Sequence, residues 1–178
     1  MRIIAGDFKG RKLESPINNN IRPTSDKVKE AIFNIIAGNV PEAICVDLFA
    51  GTGNLGLEAI SRGAEKCYFC DSSNESIGLI RENIEICKAS DVSRILVGDY
   101  SRTLSRITDK IDIFFLDPPY KAGLYEDCFS QIRELDLLAE EGIIIAEHGA
   151  KDIMPDEICG FEKIKEKKYG TIVISIYG

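Results

Sequence analysis

No apolar run in this chain approaches the roughly 20 residues that a membrane-spanning helix needs. The opening residues, Met1-Arg2-Ile3-Ile4-Ala5-Gly6-Asp7, hold no apolar stretch of a secretion signal. A cytoplasmic protein with no membrane attachment is therefore expected. There is one histidine, His148, and the six cysteines are scattered. Cys67 and Cys70 have the spacing of half a zinc or redox site, but no second pair stands at ligand spacing. No metal is expected, and the thiols read as buried and reduced. Repeats and low-complexity segments are missing as well. So is an excess of positive charge: the formal net charge is −7, which argues against indiscriminate affinity for nucleic acid.

What is there suits one domain with a sizeable core, since 178 residues are too few for two. The charge is uneven. Residues 1–30 carry seven basic and four acidic side chains on an otherwise acidic body. Such a segment is either a phosphate-contacting arm or a solvated surface, and charge alone leaves both open.

Two short strands, 2–5 and 11–14, around Gly6-Asp7-Phe8-Lys9-Gly10 predict a small hairpin. After the loop at Asn18-Asn19-Asn20, a helix capped by Thr24 or Ser25 puts Val28, Ala31, Ile32, Ile35 and Ile36 on one face and ends at Gly38 and Pro41. From Ala43 strands and helices alternate. Strands are expected at 44–48, 66–70, 94–97, 111–116 and 142–147, and helices at 54–61, 75–88, 100–107 and 125–138. That rhythm predicts an α/β fold with a parallel sheet covered on both faces. Segments 161–168 and 171–177 leave no room for a helix between them and should close the sheet as an antiparallel hairpin. The domain reading is an arm over residues 1–22 and a catalytic domain over 23–178. Removal of residues 1–26 is expected to leave donor binding intact.

Asp47-Leu48-Phe49-Ala50-Gly51-Thr52-Gly53-Asn54-Leu55-Gly56 joins the first of these strands to its helix. The glycines let the backbone approach a ligand, and the helix N-terminus favours a negative group. Asp71, with Ser72 after it, ends the next strand, where an acid can bind ribose hydroxyls. The arrangement serves NAD or S-adenosylmethionine. Asp47 favours the latter, because it can meet an ammonium group, although it can also simply order the loop. Asp99-Tyr100 follows the next strand, where Asp99 can bond an adenine amino group or only cap the following helix. Phe49 can pack near the donor.

The apolar run Ile111-Asp112-Ile113-Phe114-Phe115-Leu116 ends at Asp117-Pro118-Pro119-Tyr120. The prolines stop the strand, because neither can donate to a ladder. A carboxylate and a proline carbonyl accept hydrogens from an exocyclic base amino group and draw its nitrogen toward a nucleophilic form. Tyr120 can stack on an unstacked base. With a donor site also in the chain, methyl transfer to such an amino group is the favoured reading. Glu147 and His148 end their strand near the same edge and read as structural, because nothing pairs them with a nucleophile.

These stretches resemble the amino-methyltransferases of the Rossmann-like class I group. More narrowly, the chain resembles the bacterial small-subunit ribosomal RNA guanine-2-amino methyltransferases (RsmD type). The resemblance rests on Arg2-Ile3-Ile4-Ala5-Gly6 with Gly10-Arg11-Lys12-Leu13, on Arg22-Pro23-Thr24-Ser25-Asp26, on Leu55-Gly56-Leu57-Glu58-Ala59 with Ser61-Arg62-Gly63-Ala64, and on the Asp-Pro-Pro-Tyr loop. It implies a seven-stranded, mostly parallel sheet whose last strand is antiparallel. It also implies S-adenosylmethionine as donor and the 16S rRNA of an assembling small subunit as acceptor for a monomeric enzyme. Asp47, Phe49, Ala50, Gly51, Thr52, Gly53, Asp71, Ser72, Asp99 and Tyr100 would hold the donor. Asp117, Pro118, Pro119 and Tyr120 would act on the amino group. Arg2, Lys9, Arg11, Arg22, Thr24 and Arg62 are the candidate RNA contacts. The rivals are an adenine-6-amino methyltransferase and, more remotely, an NAD-dependent oxidoreductase.

Overall fold

The computed structural model describes residues 1–18, 24–119 and 123–178. Arg22 and Tyr120 lie outside the described residues. Eight strands form one sheet: β1 (Ile44–Asp47), β2 (Lys66–Asp71), β3 (Ser93–Val97), β4 (Ile111–Leu116), β5 (Leu138–Gly149), β6 (Glu157–Ile158), β7 (Phe161–Tyr169) and β8 (Ile172–Tyr177). Their order is β3-β2-β1-β4-β5-β8-β7-β6. The pairs from β3 through β5 are parallel, while β8 runs antiparallel to both β5 and β7. The antiparallel last strand is as expected. The count is eight rather than seven because the two-residue edge strand β6 is too short to carry a periodic signal.

Helices α1 (Asp26–Ile35), α2 (Asn54–Ser61), α3 (Asn74–Cys87), α4 (Tyr100–Ser105) and α5 (Leu124–Glu134) cover both faces. Because successive side chains of a strand point to opposite sides, each apolar strand feeds two cores. Cys45, Ile113, Phe115, Ile143 and Ile145 pack with residues of α1, α2 and α3. Val46, Phe114, Leu116, Ile144 and Ala146 pack with residues of α4 and α5. No helix among the described residues is long and apolar enough to cross a membrane.

Two boundaries move. α5 stops at Glu134, because Asp136 takes a left-handed turn (φ 51°), and β5 starts at Leu138 rather than 142. The expected N-terminal hairpin shrinks to a single bridge between Arg2 and Lys12. The physical reason is that residues 4 and 5 bond elsewhere. The Ile4 and Ala5 N–H groups donate to the buried Glu58 carboxylate of α2 at 3.0 and 3.1 Å. Ser61 Oγ accepts from the Phe8 N–H at 2.9 Å and donates to the Ala5 carbonyl at 2.6 Å. Gly6 makes this approach possible: at φ +85°, a Cβ there would lie 1.9 Å from the Ser61 carbonyl oxygen. Ile3 and Leu13 are buried in the same core as α1 and α2.

Candidate active site

β1 is the switch point of the sheet. The chain leaves it toward β2 and β3 on one side and returns through β4 and β5 on the other, which opens a crevice at the carboxyl ends of the strands. Four strands deliver a carboxylate to that edge: Asp47 from β1, Asp71 from β2, Asp117 after β4 and Glu147 in β5. A cleft of about 1000 Å³ runs over them from Asp99 and Tyr100 to Asp117 and Glu147. It brings together every donor residue expected from sequence except Gly53, the buried N-cap of α2, which does not line it.

The glycine loop is held from two sides. Asp71 accepts the Gly51 N–H through Oδ2 and the Ser73 N–H through Oδ1, both at 2.9 Å. Asp47 accepts the Gly56 N–H at 3.0 Å. Gly53 caps α2 from a left-handed conformation (φ 81°) and brings no side chain of its own, so the side-chain acceptor at the first turn of the helix is Asp47, through the Gly56 N–H. Asp47 is buried. That burial pushes its carboxyl up to about 7, against the pull of the Gly56 N–H, and the nearby Asp71 adds to the rise. Asp99 does cap α4, accepting from the Arg102 N–H at 2.8 Å. The Phe49 and Tyr100 rings stand 6.2 Å apart in a tilted pair at this end of the cleft.

At the other end, Pro118 is buried, Pro119 is exposed and Asp117 is half-buried. Burial, then the neighbouring Glu147 and Asp47, hold the Asp117 carboxyl well above the usual carboxylate range. A second cavity of about 770 Å³ opens on the far side of the loop, between α5, the end of β5 and the segment that follows it. Asp117, Pro118, Pro119 and Glu147 line both cavities and form the wall between them.

Glu147 is the residue that sequence reasoning set aside. It is half-buried, and Thr24 Oγ1 donates to its Oε2 at 2.9 Å. Burial raises its carboxyl as well, with the Thr24 hydroxyl opposing the rise. The available signal was that Glu147 follows an apolar run, Ile143-Ile144-Ile145-Ala146, as Asp117 follows its own. His148 does play a structural part, with Nε2 2.8 Å from Ser175 Oγ.

The basic residues divide. Lys9 is exposed, and Arg2 is exposed beside Asp26 at 3.3 Å. Arg11 lies over the Phe8 ring and donates to the Ile86 carbonyl. Arg62 is turned inward, 3.0 Å from Glu58 and stacked over Phe33. Thr24 points into the cleft rather than to the arm's outer face.

The sequence profile of a family described as Conserved hypothetical protein 95 matches residues 1–178. Bacillus subtilis YlbH is 36% identical over 180 residues, covering 99% of this chain and 98% of that protein. The Escherichia coli protein named Ribosomal RNA small subunit methyltransferase D is 32% identical over 177 residues, covering 99% and 89%. The solved structure of Escherichia coli yhhF superposes with a TM-score of 0.88 at 30% identity, covering 99% of this chain and 96% of that one.

Proposed function

The chain belongs to the Conserved hypothetical protein 95 family, and from that premise we propose that it methylates the 2-amino group of a guanine in small-subunit rRNA. It is an S-adenosylmethionine-dependent methyltransferase with the class I fold. The observation that carries the guanine reading is the wall shared by the two cavities. Asp117 and Pro118 line a donor cleft on one side and an acceptor-sized space on the other.

The residues fit the donor. Asp47 suits its ammonium, the glycine loop at the N-terminus of α2 its carboxylate, and Asp71 its ribose. Asp99, Phe49 and Tyr100 suit the adenine, with Ala50, Thr52 and Ser72 lining the cleft. When bound, S-adenosylmethionine supplies an electrophilic methyl group on a sulfonium. The chain's own part is positioning. Asp117 and the Pro118 carbonyl accept the amino hydrogens and aim the nitrogen, and Tyr120 stacks on the base. Asp117 acts as an acceptor rather than an obligatory base. The amino proton becomes acidic only once the methyl group has arrived, and it then leaves to water. Arg2, Lys9, Arg11 and Arg22 are assigned to RNA phosphates. Arg62 supports the arm through Glu58, and Thr24 serves the acceptor side through Glu147. The acceptor is the 16S rRNA of the assembling subunit, and the enzyme works as a monomer in the cytoplasm.

Nucleoside mass spectrometry of rRNA from cells with and without the gene tests this reading. Loss of one 2-methylguanosine is expected, restored by the intact gene. An Asp117→Ala copy should turn over about 10²–10³-fold more slowly. Loss of 6-methyladenosine instead, with 2-methylguanosine unchanged, overturns the reading.

A further inference from the structure

The shared wall presents more hydrogen-bond acceptors than positioning one amino group requires. Leu116 of β4 and Ala146 of β5 are register partners, so the next residues, Asp117 and Glu147, stand side by side on adjacent strands. Neighbouring strands lie about 4.8 Å apart. Among the described residues, neither Asp117 oxygen accepts a hydrogen bond. The Glu147 carboxylate accepts one, at Oε2 from Thr24, and its Oε1 accepts none, while the Tyr125 hydroxyl donates to the Glu147 backbone carbonyl. Asp117, Pro118 and Glu147 line both cavities, and among the described residues no N–H or cation is paired with the two Asp117 oxygens, Glu147 Oε1 or the Pro118 carbonyl. Acceptors left open to a cavity in this way are available to donors from a ligand that displaces water there.

The bases differ in what they bring. Adenine and cytosine carry two amino hydrogens next to a ring nitrogen that is itself an acceptor. Guanine alone sets a ring N–H beside its amino group, giving three donors in a row. Resting on the reading above, we propose that Glu147 is the specificity-determining residue for guanine, accepting the N1–H while Asp117 and the Pro118 carbonyl hold the two hydrogens of the 2-amino group. A ring nitrogen with a lone pair would face the Glu147 carboxylate without a hydrogen between them, and that is the repulsive element against adenine. Thr24 is the positioning residue. Its hydroxyl ties down Oε2, and its own carbonyl accepts from Asn54 Nδ2 at 3.3 Å at the start of α2, so Oε1 is left directed at the base.

The test uses 2-aminopurine, which keeps the 2-amino group but has a bare, accepting N1. Small-subunit particles are reconstituted with guanine or 2-aminopurine at the mapped target position, and single-turnover methyl transfer is measured at saturating donor. The wild-type enzyme should be slower on 2-aminopurine by about 10²-fold or more, the size of a lost hydrogen bond at a site built to receive it. Glu147→Gln can turn an amide N–H toward the bare N1, so its gap should fall below about tenfold. Thr24→Val, which frees Oε2, should narrow the gap partway. It does so without touching the base, and it stands as the second variant if Glu147→Gln fails to fold. Equal wild-type rates on the two particles overturn the proposal, as does a wild-type gap persisting in a folded variant. Failure of the underlying reading looks different. In that case the wild-type enzyme puts no methyl group on guanine at all, and the proposal falls with it.

Discussion

Asp47 sets a pH dependence that can be read in solution. Its carboxyl is pushed up to about 7, and an ammonium group beside it requires the ionised form. Below that value, donor binding must release the proton. Affinity for S-adenosylhomocysteine, measured by calorimetry, should rise up to about tenfold per unit between pH 6 and 7 and level off above. Asp47→Asn should flatten the profile and weaken binding. The sign for folding is opposite. A carboxyl raised by folding holds its proton longer in the folded chain, so the stability it contributes is full at acid pH and lost as pH climbs through about 7. Asp117 and Glu147 are raised too and act in the same direction. Three of the four carboxylates at this edge were legible as functional, because each closes an apolar strand and leads into a loop marked by its own residues: Gly51 and Gly53 after Asp47, Ser72 and Ser73 after Asp71, Pro118 and Pro119 after Asp117. Glu147 was not, since its partner Thr24 is 123 positions away.

Elements are held at the site by a buried ion pair. Lys29 of α1 and Glu58 of α2 meet at 3.2 Å with both side chains fully buried. Lys29 Nζ also donates to the Arg2 carbonyl at 2.5 Å and to Asn54 Oδ1 at 2.7 Å. Burial lowers the lysine's proton affinity, and Glu58 opposes that. Lys29→Met should destabilise the protein by about 3–5 kcal/mol in denaturant unfolding, the usual effect of stripping one partner from a buried pair. A loss under about 1 kcal/mol would mean that Arg62 and the arm's N–H groups alone satisfy Glu58. The helix was legible from Val28, Ile32, Ile35 and Ile36, whereas Lys29 reads as a residue of its polar face. Only a carboxylate supplied by another helix makes its burial tolerable.

On the scale of the whole molecule, the N-terminal segment is built into the core. Deleting residues 1–14 removes two buried aliphatic side chains, Ile3 and Leu13, and two donors to Glu58. Burial of each such side chain contributes about 1.5–3 kcal/mol. In a domain of this size, that corresponds to a melting temperature lower by about 10 °C or more. Scanning calorimetry should show one transition in the intact protein, displaced downward in the truncated one, with weaker S-adenosylhomocysteine binding because Lys29 loses the Arg2 carbonyl and Thr52, in the donor cleft, loses Met1. A truncated protein that melts and binds normally would restore the picture of a detachable arm.

By itself the sequence determined the alternation of strands and helices, the glycine loop after β1, the acid ending β2 and the proline stop after β4. Each of these is written locally, in hydrophobic period, in backbone freedom or in a missing N–H. The tertiary structure alone decided that Glu147 joins Asp117 in the wall between two cavities. It also decided that Thr24 faces inward, that Arg62 and Lys29 converge on Glu58, and that Ile4 and Ala5 bond to α2 while the residues around Arg2 and Lys12 bond to one another. Apart from the Arg62–Glu58 pair, which is local to α2, these are contacts between residues far apart in the chain. Their energetics depend on burial and on partners that no local pattern encodes.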